Sequence, residues 1–141
     1  MEFQKVPLPP SSNNQYVSFV KNGKIMRGSS KELTQFKRAM EMYWLTQKQA
    51  LIFARETFCG KPLYVHVDFM FSKDRLLNKQ GHFKKLDVSN RIKAIHDSLA
   101  DALLTDDSCF VKISAEKFAV PGRHQESATI RIETYEFTEL N

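Results

Sequence analysis

Residues 84–108 read KKLDVSNRIKAIHDSLADALLTDDS. A basic pair leads into Asp87, an amphipathic segment follows, and the acidic pair Asp106 and Asp107 closes the stretch. At about 100° per residue, Val88, Ile92, Ile95, Leu99, Ala102 and Leu103 gather on one side. Asn90, Lys93, Asp97 and Asp101 gather on the other. The spacing predicts a helix over 88–104 with Lys93 turned away from the core. Such a helix is about 24 Å long. Asp87 and Asp107 therefore meet only if the chain after Leu104 doubles back beside the helix, or if a second subunit completes the site.

The apolar side of this helix needs a sheet to cover. Residues 63–71, LYVHVDFMF, alternate: Leu63, Val65, Val67 and Phe69 point one way, Tyr64, His66, Asp68 and Met70 the other. That predicts a strand with one face in the core and one only partly covered. His66 and Asp68 sit on the second face, as plain strand-surface residues or as the lining of a site. Residues 109–119 and 127–137 also read as strands, joined by the Pro-Gly turn VPGRHQE, and are expected to close the domain as an antiparallel pair. Residues 1–10 begin with an alternating apolar run that must stop by Pro7 or lie on an edge. PPSSNNQY, residues 9–16, reads as a rigid turn. Asn22-Gly23 between two alternating runs predicts a hairpin with strands near 16–20 and 24–27.

Ser29 followed by Glu32 is a capping-box pattern. It opens a long helix expected to run to about residue 58, with Phe36, Met40, Tyr43, Ala50, Phe53 and Ala54 inward, until Gly60 and Pro62 stop it. Residues 72–83, SKDRLLNKQGHF, have no clear period and read as a mobile loop. Its Lys73, Arg75 and Lys79 are either solvated or, with Lys84 and Lys85, a phosphate-contacting arm. The whole is expected to be one α/β (α+β) domain over 1–141: a mixed or antiparallel sheet, a long helix and a shorter site-bearing helix.

The 141 residues are 42% hydrophobic with eleven phenylalanines, enough for a real core without a disulfide or metal staple. The net charge of +5 suits a polyanionic partner or a plainly solvated basic surface equally well. Cys59 and Cys109 lack metal-ligand spacing, so free buried thiols in a reducing cytoplasm are expected. There is no signal-peptide pattern and no apolar run of the roughly 18–20 residues that a membrane helix needs. The expectation is a soluble cytoplasmic protein with no membrane partner.

Clustered carboxylates with a nearby lysine suit phosphodiester hydrolysis. Mg²⁺ prefers hard oxygen ligands and keeps several waters, so a few carboxylates suffice. An ammonium group offsets charge on the phosphorane-like transition state. The purely structural alternative uses the same residues. Asp87 then caps the helix, Lys93 and Asp97 form an i,i+4 surface pair, and Asp106 and Asp107 make a turn.

PPSSNNQY, KKLDVSNRIKAIHDSLADAL and TDDS follow one another in an order that resembles the RusA family of Holliday-junction resolvases, over roughly residues 9–117. The D-x-x-N-x-x-K…D-x-L…DD-S string is the specific part; the PPS-N-Y element is generic. The resemblance implies an α/β homodimer that binds four-way DNA junctions and makes paired Mg²⁺-dependent nicks, with Mn²⁺ able to substitute. Carried over by position, Asp87, Lys93 and Asp107 are the catalytic residues. Asp87 and Asp107, with Asp106 beside it, hold the metal. Lys84, Lys85 and Arg91 hold the DNA backbone, joined by Lys73, Arg75 and Asn90. Asp97 also matches the string and supports the site. Ser89 departs from the family, whose D-x-D-N element has a second aspartate there; the site loses one negative charge. The alternative is a catalytically impaired branched-DNA-binding or partner-binding module on the same fold.

Overall fold

The computed structural model describes residues 1–11 and 15–141. Residues 12–14 of the expected 9–16 turn lie outside the described residues. The elements are β1 (Glu2–Val6), β2 (Tyr16–Lys21), β3 (Lys24–Ser29), α1 (Lys31–Thr46), α2 (Lys48–Phe58), β4 (Leu63–Ser72), α3 (Lys73–Leu76), α4 (Ser89–Leu103), β5 (Phe110–Val120) and β6 (Ser127–Thr134). Four strands form a mixed sheet in the order β1-β6-β4-β5, with β5 parallel to β4 and β6 antiparallel to it. The fold is α+β, as expected.

The alternation over β4 sets the layers. Leu63, Val65, Val67, Phe69 and Phe71 are at most 1% exposed. They pack with Leu33, Phe36 and Met40 of α1, Leu51, Ala54 and Phe58 of α2, and Ile95, Leu99, Ala102 and Leu103 of α4. Burial of each large side chain is worth about 2 kcal/mol. All the long helices therefore lie on one face of the sheet. Tyr64, His66, Asp68 and Met70 point to the opposite face and are half-buried.

Three expectations need correction. The strands after α4 run antiparallel but are not neighbours, because β4 lies between them. The connection crosses the end of β4, held by Glu126: its carboxylate accepts from the Ser72 backbone N–H at 2.8 Å and from Arg75 at 2.9 Å. The expected long helix is two. Its cap is Ser30, whose Oγ accepts from Leu33 N–H at 3.0 Å, and it breaks at Gln47, whose N–H turns to the i−3 carbonyl of Trp44. The break shifts the inward face to Leu51, Ala54 and Phe58 and leaves Phe53 59% exposed. No glycine or proline marks it. Finally, residues 72–83 are an ordered arm, not a structureless loop. The buried Leu76 anchors it, Leu77 bridges to Phe83, and Asn78 Oδ1 accepts from the N–H groups of Gln80 and His82.

The hairpin forms where expected, with Asn22 at φ 52° and Gly23 at φ 73°, the left-handed pair that a tight two-residue turn requires. It makes a separate two-stranded sheet. β1 stops before Pro7 and lies on the edge of the main sheet. Both cysteines are free, but Cys59 is exposed and Cys109 half-buried rather than enclosed.

Tyr43 couples α1 to the edge strand by donating its hydroxyl to the Gln4 carbonyl at 2.7 Å. Burial pushes its pKa up to about 12. An unfolded tyrosine titrates near pH 10, so the folded chain holds this proton more tightly than the unfolded one does. The stabilisation is complete below about pH 10 and is lost between about pH 10 and pH 12. Thermal melts from pH 9 to pH 11.5 should show a steeper alkaline loss in the wild type than in Tyr43→Phe. Parallel curves would contradict this coupling.

Candidate active site

α4 begins beside Asp87. Val88, at the cap position, has no side chain to offer the first turn, and Asp87 supplies one: its Oδ1 accepts from Ser89 N–H at 2.9 Å. The N–H and hydroxyl of Ser89 hold the Asp87 carboxyl below its usual range, with smaller help from Arg91 and Lys117. The helix ends at Leu104, a non-glycine residue at φ 55°, and Thr105 N–H returns to Ala100 O at 3.0 Å. That left-handed step reverses the chain. Asp106 then repeats the motif of Asp87: its Oδ1 accepts from Ser108 N–H at 2.8 Å, opening the 3₁₀ turn Asp107–Cys109. Ser108 likewise holds the Asp106 carboxyl below its usual range.

The return brings Asp107 alongside the middle of α4. It interacts electrostatically with His96 and Asp97. Burial raises the Asp97 carboxyl, Lys93 one turn before it pulls the other way, and Asp107 and Asp101 add to the rise. β5 then runs back along α4: Phe110 packs edge-on against His96, and Lys117 Nζ reaches the Leu86 carbonyl at 3.4 Å. Asp87 thus stands level with Lys117, and Asp107 level with Asp97. Ten residues of helix separate those levels, on the order of 15 Å. The doubling-back occurs, but within one chain it does not carry Asp107 as far as Asp87.

Lys93 and Asn90 are exposed and line a groove of about 1200 Å³ between α4 and the α1–α2 pair, with Asp97 and Asp101 on the same wall. Tyr16 and Arg27 of the hairpin also line it, Arg27 stacked over the Tyr16 ring at 4.1 Å. Lys73 and Lys85 are exposed. Lys84 is exposed too, though its ammonium donates to Asp74 O at 2.6 Å. Arg75, expected to meet phosphate, is paired with Glu126.

Arg91 is the largest departure. It is 4% exposed; its Nε donates to Pro9 O and its Nη1 to Asp87 O, both at 3.2 Å, and it lies 5.2 Å from the Phe71 ring. It joins the proline segment, the end of β4 and the segment that carries Asp87. Arg91 and His96 are the two polar residues of α4 that the apolar stripe failed to mark as buried; His96 keeps one ring nitrogen, Nε2, without a hydrogen-bond partner.

Among the described residues, the one set of three His, Cys, Asp or Glu side chains with ligand atoms all within 4.8 Å of one another is His66, Asp68 and Glu116. Asp87, Asp106 and Asp107 make no such set. The partly covered strand face pointed to His66 and Asp68. Glu116 was missed because only the parallel pairing of β5 with β4 brings it there.

The position of Arg91 makes it a fastener of the Asp87 segment. Hydrogen bonds from a charged donor contribute about 1.5–3 kcal/mol, and the buried stem adds packing. Arg91→Ala should lower stability by about 2–4 kcal/mol in urea unfolding. Arg91→Lys, which lacks the planar fork, should recover less than half of that. A change below about 0.5 kcal/mol for Arg91→Ala would contradict the assignment.

No curated protein matches the chain. The family model described as Endodeoxyribonuclease RusA matches residues 7–133, which includes the proline segment, both ends of α4 and every strand of the main sheet except β1, the last residue of β6 falling just beyond it. With nine-tenths of its 141 residues inside that match, the chain belongs to the RusA endodeoxyribonuclease family.

Proposed function

We propose that the protein is a Holliday-junction-resolving endodeoxyribonuclease. It makes paired, Mg²⁺-dependent nicks in four-way DNA junctions during recombination and repair. The observation that carries this reading is the family match over a region that retains Asp87, Lys93 and Asp107 in the family's order. A cytoplasmic location fits: no helix among the described residues is long and apolar enough to cross a membrane, and both cysteines are free.

The donor set suits Mg²⁺. Asp87, Asp106 and Asp107 are exposed carboxylates, hard oxygen donors. In Asp87 and Asp106 one oxygen accepts from the backbone N–H two residues on, which orients the carboxylate. When bound, the ion lowers the pKa of an attacking water and neutralises charge on the phosphate. Mn²⁺ offers the same chemistry. The chain's own groups do the rest. Lys93 directs its ammonium at the phosphate and offsets the charge that builds in the transition state. Asp97, one turn on, orients Lys93, and Asn90 adds a neutral donor on that face. Lys73, Lys84 and Lys85 hold the DNA backbone, so binding weakens steeply with salt. Arg91 and Arg75 act indirectly, by fixing the segments around the site. Because about 15 Å of helix separates Asp87 from Asp107, we assign them to one site across a homodimer, Asp87 from one protomer and Asp107 from its partner.

A second reading has one observation in its favour: the Ser89 hydroxyl bonds to the Asp87 carboxylate, where a second aspartate would have added a ligand. On that reading the protein binds branched DNA and cuts it slowly. Cleavage of a synthetic four-way junction in Mg²⁺ separates the two. Asp107→Asn should slow cutting by about 10²-fold or more while leaving junction binding within a few-fold; equal rates would remove Asp107 from the site. A large gain in cutting by Ser89→Asp would favour the impaired reading, and no gain would count against it.

A further inference from the structure

The face of the sheet turned away from α4 carries a second constellation. Asp68 and Glu116 are register partners on β4 and β5, as are His66 and Ser114, and Arg131 of β6 lies across from His66. His66 Nε2 is 2.6 Å from Asp68 Oδ1, and both side chains are only 15% exposed. His66 Nδ1 bonds Ser114 Oγ, which bonds the Tyr64 hydroxyl at 2.7 Å. Arg131 donates to the other oxygen of Asp68 at 2.9 Å.

We propose that His66, Asp68 and Glu116 form a divalent-metal site that takes an ion of the Mn²⁺–Zn²⁺ class. The site is separate from the nuclease carboxylates and does not depend on the reading of them. Its three ligand atoms already lie within 4.8 Å of one another. Ligands at about 2.1 Å from a cation and at right angles to each other are about 3.0 Å apart. His66 and Asp68 need to open by only about 0.4 Å to admit the ion, and Glu116, exposed on the edge strand, closes the third side.

The surrounding groups match what a metal-bound imidazole requires. Such a ring needs its second nitrogen protonated and held. With the ion on Nε2, His66 Nδ1–H donates to Ser114 Oγ, and the Ser114 hydroxyl rotates to donate to Tyr64. The Ser114 hydroxyl serves either tautomer, donating to His66 Nδ1 in one and accepting from it in the other. Arg131 occupies only Oδ2 of Asp68, so Oδ1 is free for the ion once the His66 bond gives way. An imidazole nitrogen with two carboxylates favours a transition ion over Mg²⁺. The site ties the edge strand β5 to β4, its one neighbour among the described strands.

Co²⁺ titration of the full-length protein, followed by visible d–d absorption, tests the proposal. With excess Mg²⁺ present to fill the nuclease carboxylates, wild type and the Asp87→Asn/Asp107→Asn double variant should both bind one Co²⁺ per chain, displaceable by Zn²⁺. His66→Asn and Glu116→Gln should each weaken binding at least tenfold, and Tyr64→Phe should weaken it measurably through Ser114. Far-UV circular dichroism without metal checks that each variant is folded, and Glu116→Gln, at an exposed edge position, decides the matter if His66→Asn unfolds. Undiminished binding in folded His66→Asn or Glu116→Gln would overturn the site. So would loss of binding in the Asp87→Asn/Asp107→Asn variant, or no uptake by wild type.

Discussion

The molecule depends on the two-sided alternation of β4. One set of its side chains is sealed against three helices, and the other set faces away from them. Because the period of a strand is two, the same ten residues cannot slip by one without exposing five large apolar groups and burying His66 and Asp68. β4 therefore fixes where α4 lies, which end of α4 meets which neighbour, and which charged groups are left to meet ligands on the far face.

α4 carries this constraint to the candidate nuclease site. Its apolar stripe locks it to the sheet, so its length fixes the spacing of the acidic groups at its two ends. The left-handed step at Leu104 folds the chain back along the helix, so that Asp107 interacts electrostatically with Asp97. Asp87 and Asp106 are held in the same way, by an N–H two residues on. Arg91 then matters as the buried tie between the Asp87 segment and the rest of the fold.

Much of this was legible in the sequence, because periodicity and turn chemistry are local. The alternation of β4, the Asn22-Gly23 hairpin, the bounds of α4 to within a residue and its core stripe follow from spacing alone. The failures share a cause. Gln47 breaks a helix with no local breaker, so only packing shows it. Arg91 reads as a surface cation, yet its stem and fork fill a buried junction of segments distant in sequence. β5 and β6 look like a hairpin, but strand order depends on how the connection crosses β4. The site followed the same rule: residue types and order within 84–108 were readable, whereas the gap between Asp87 and Asp107 and the arrival of Glu116 beside His66 depend on tertiary pairing.

The central claim is that Asp87 of one protomer works with Asp107 of its partner. Mixing Asp87→Asn protein with Asp107→Asn protein, each inactive alone, under conditions that exchange subunits tests it most directly. A heterodimer then holds one intact site and one doubly altered site. The account predicts that four-way junctions mixed with these heterodimers and Mg²⁺ acquire single nicks without paired cuts. No recovery of nicking, although mass spectrometry shows the heterodimer present, would contradict the account.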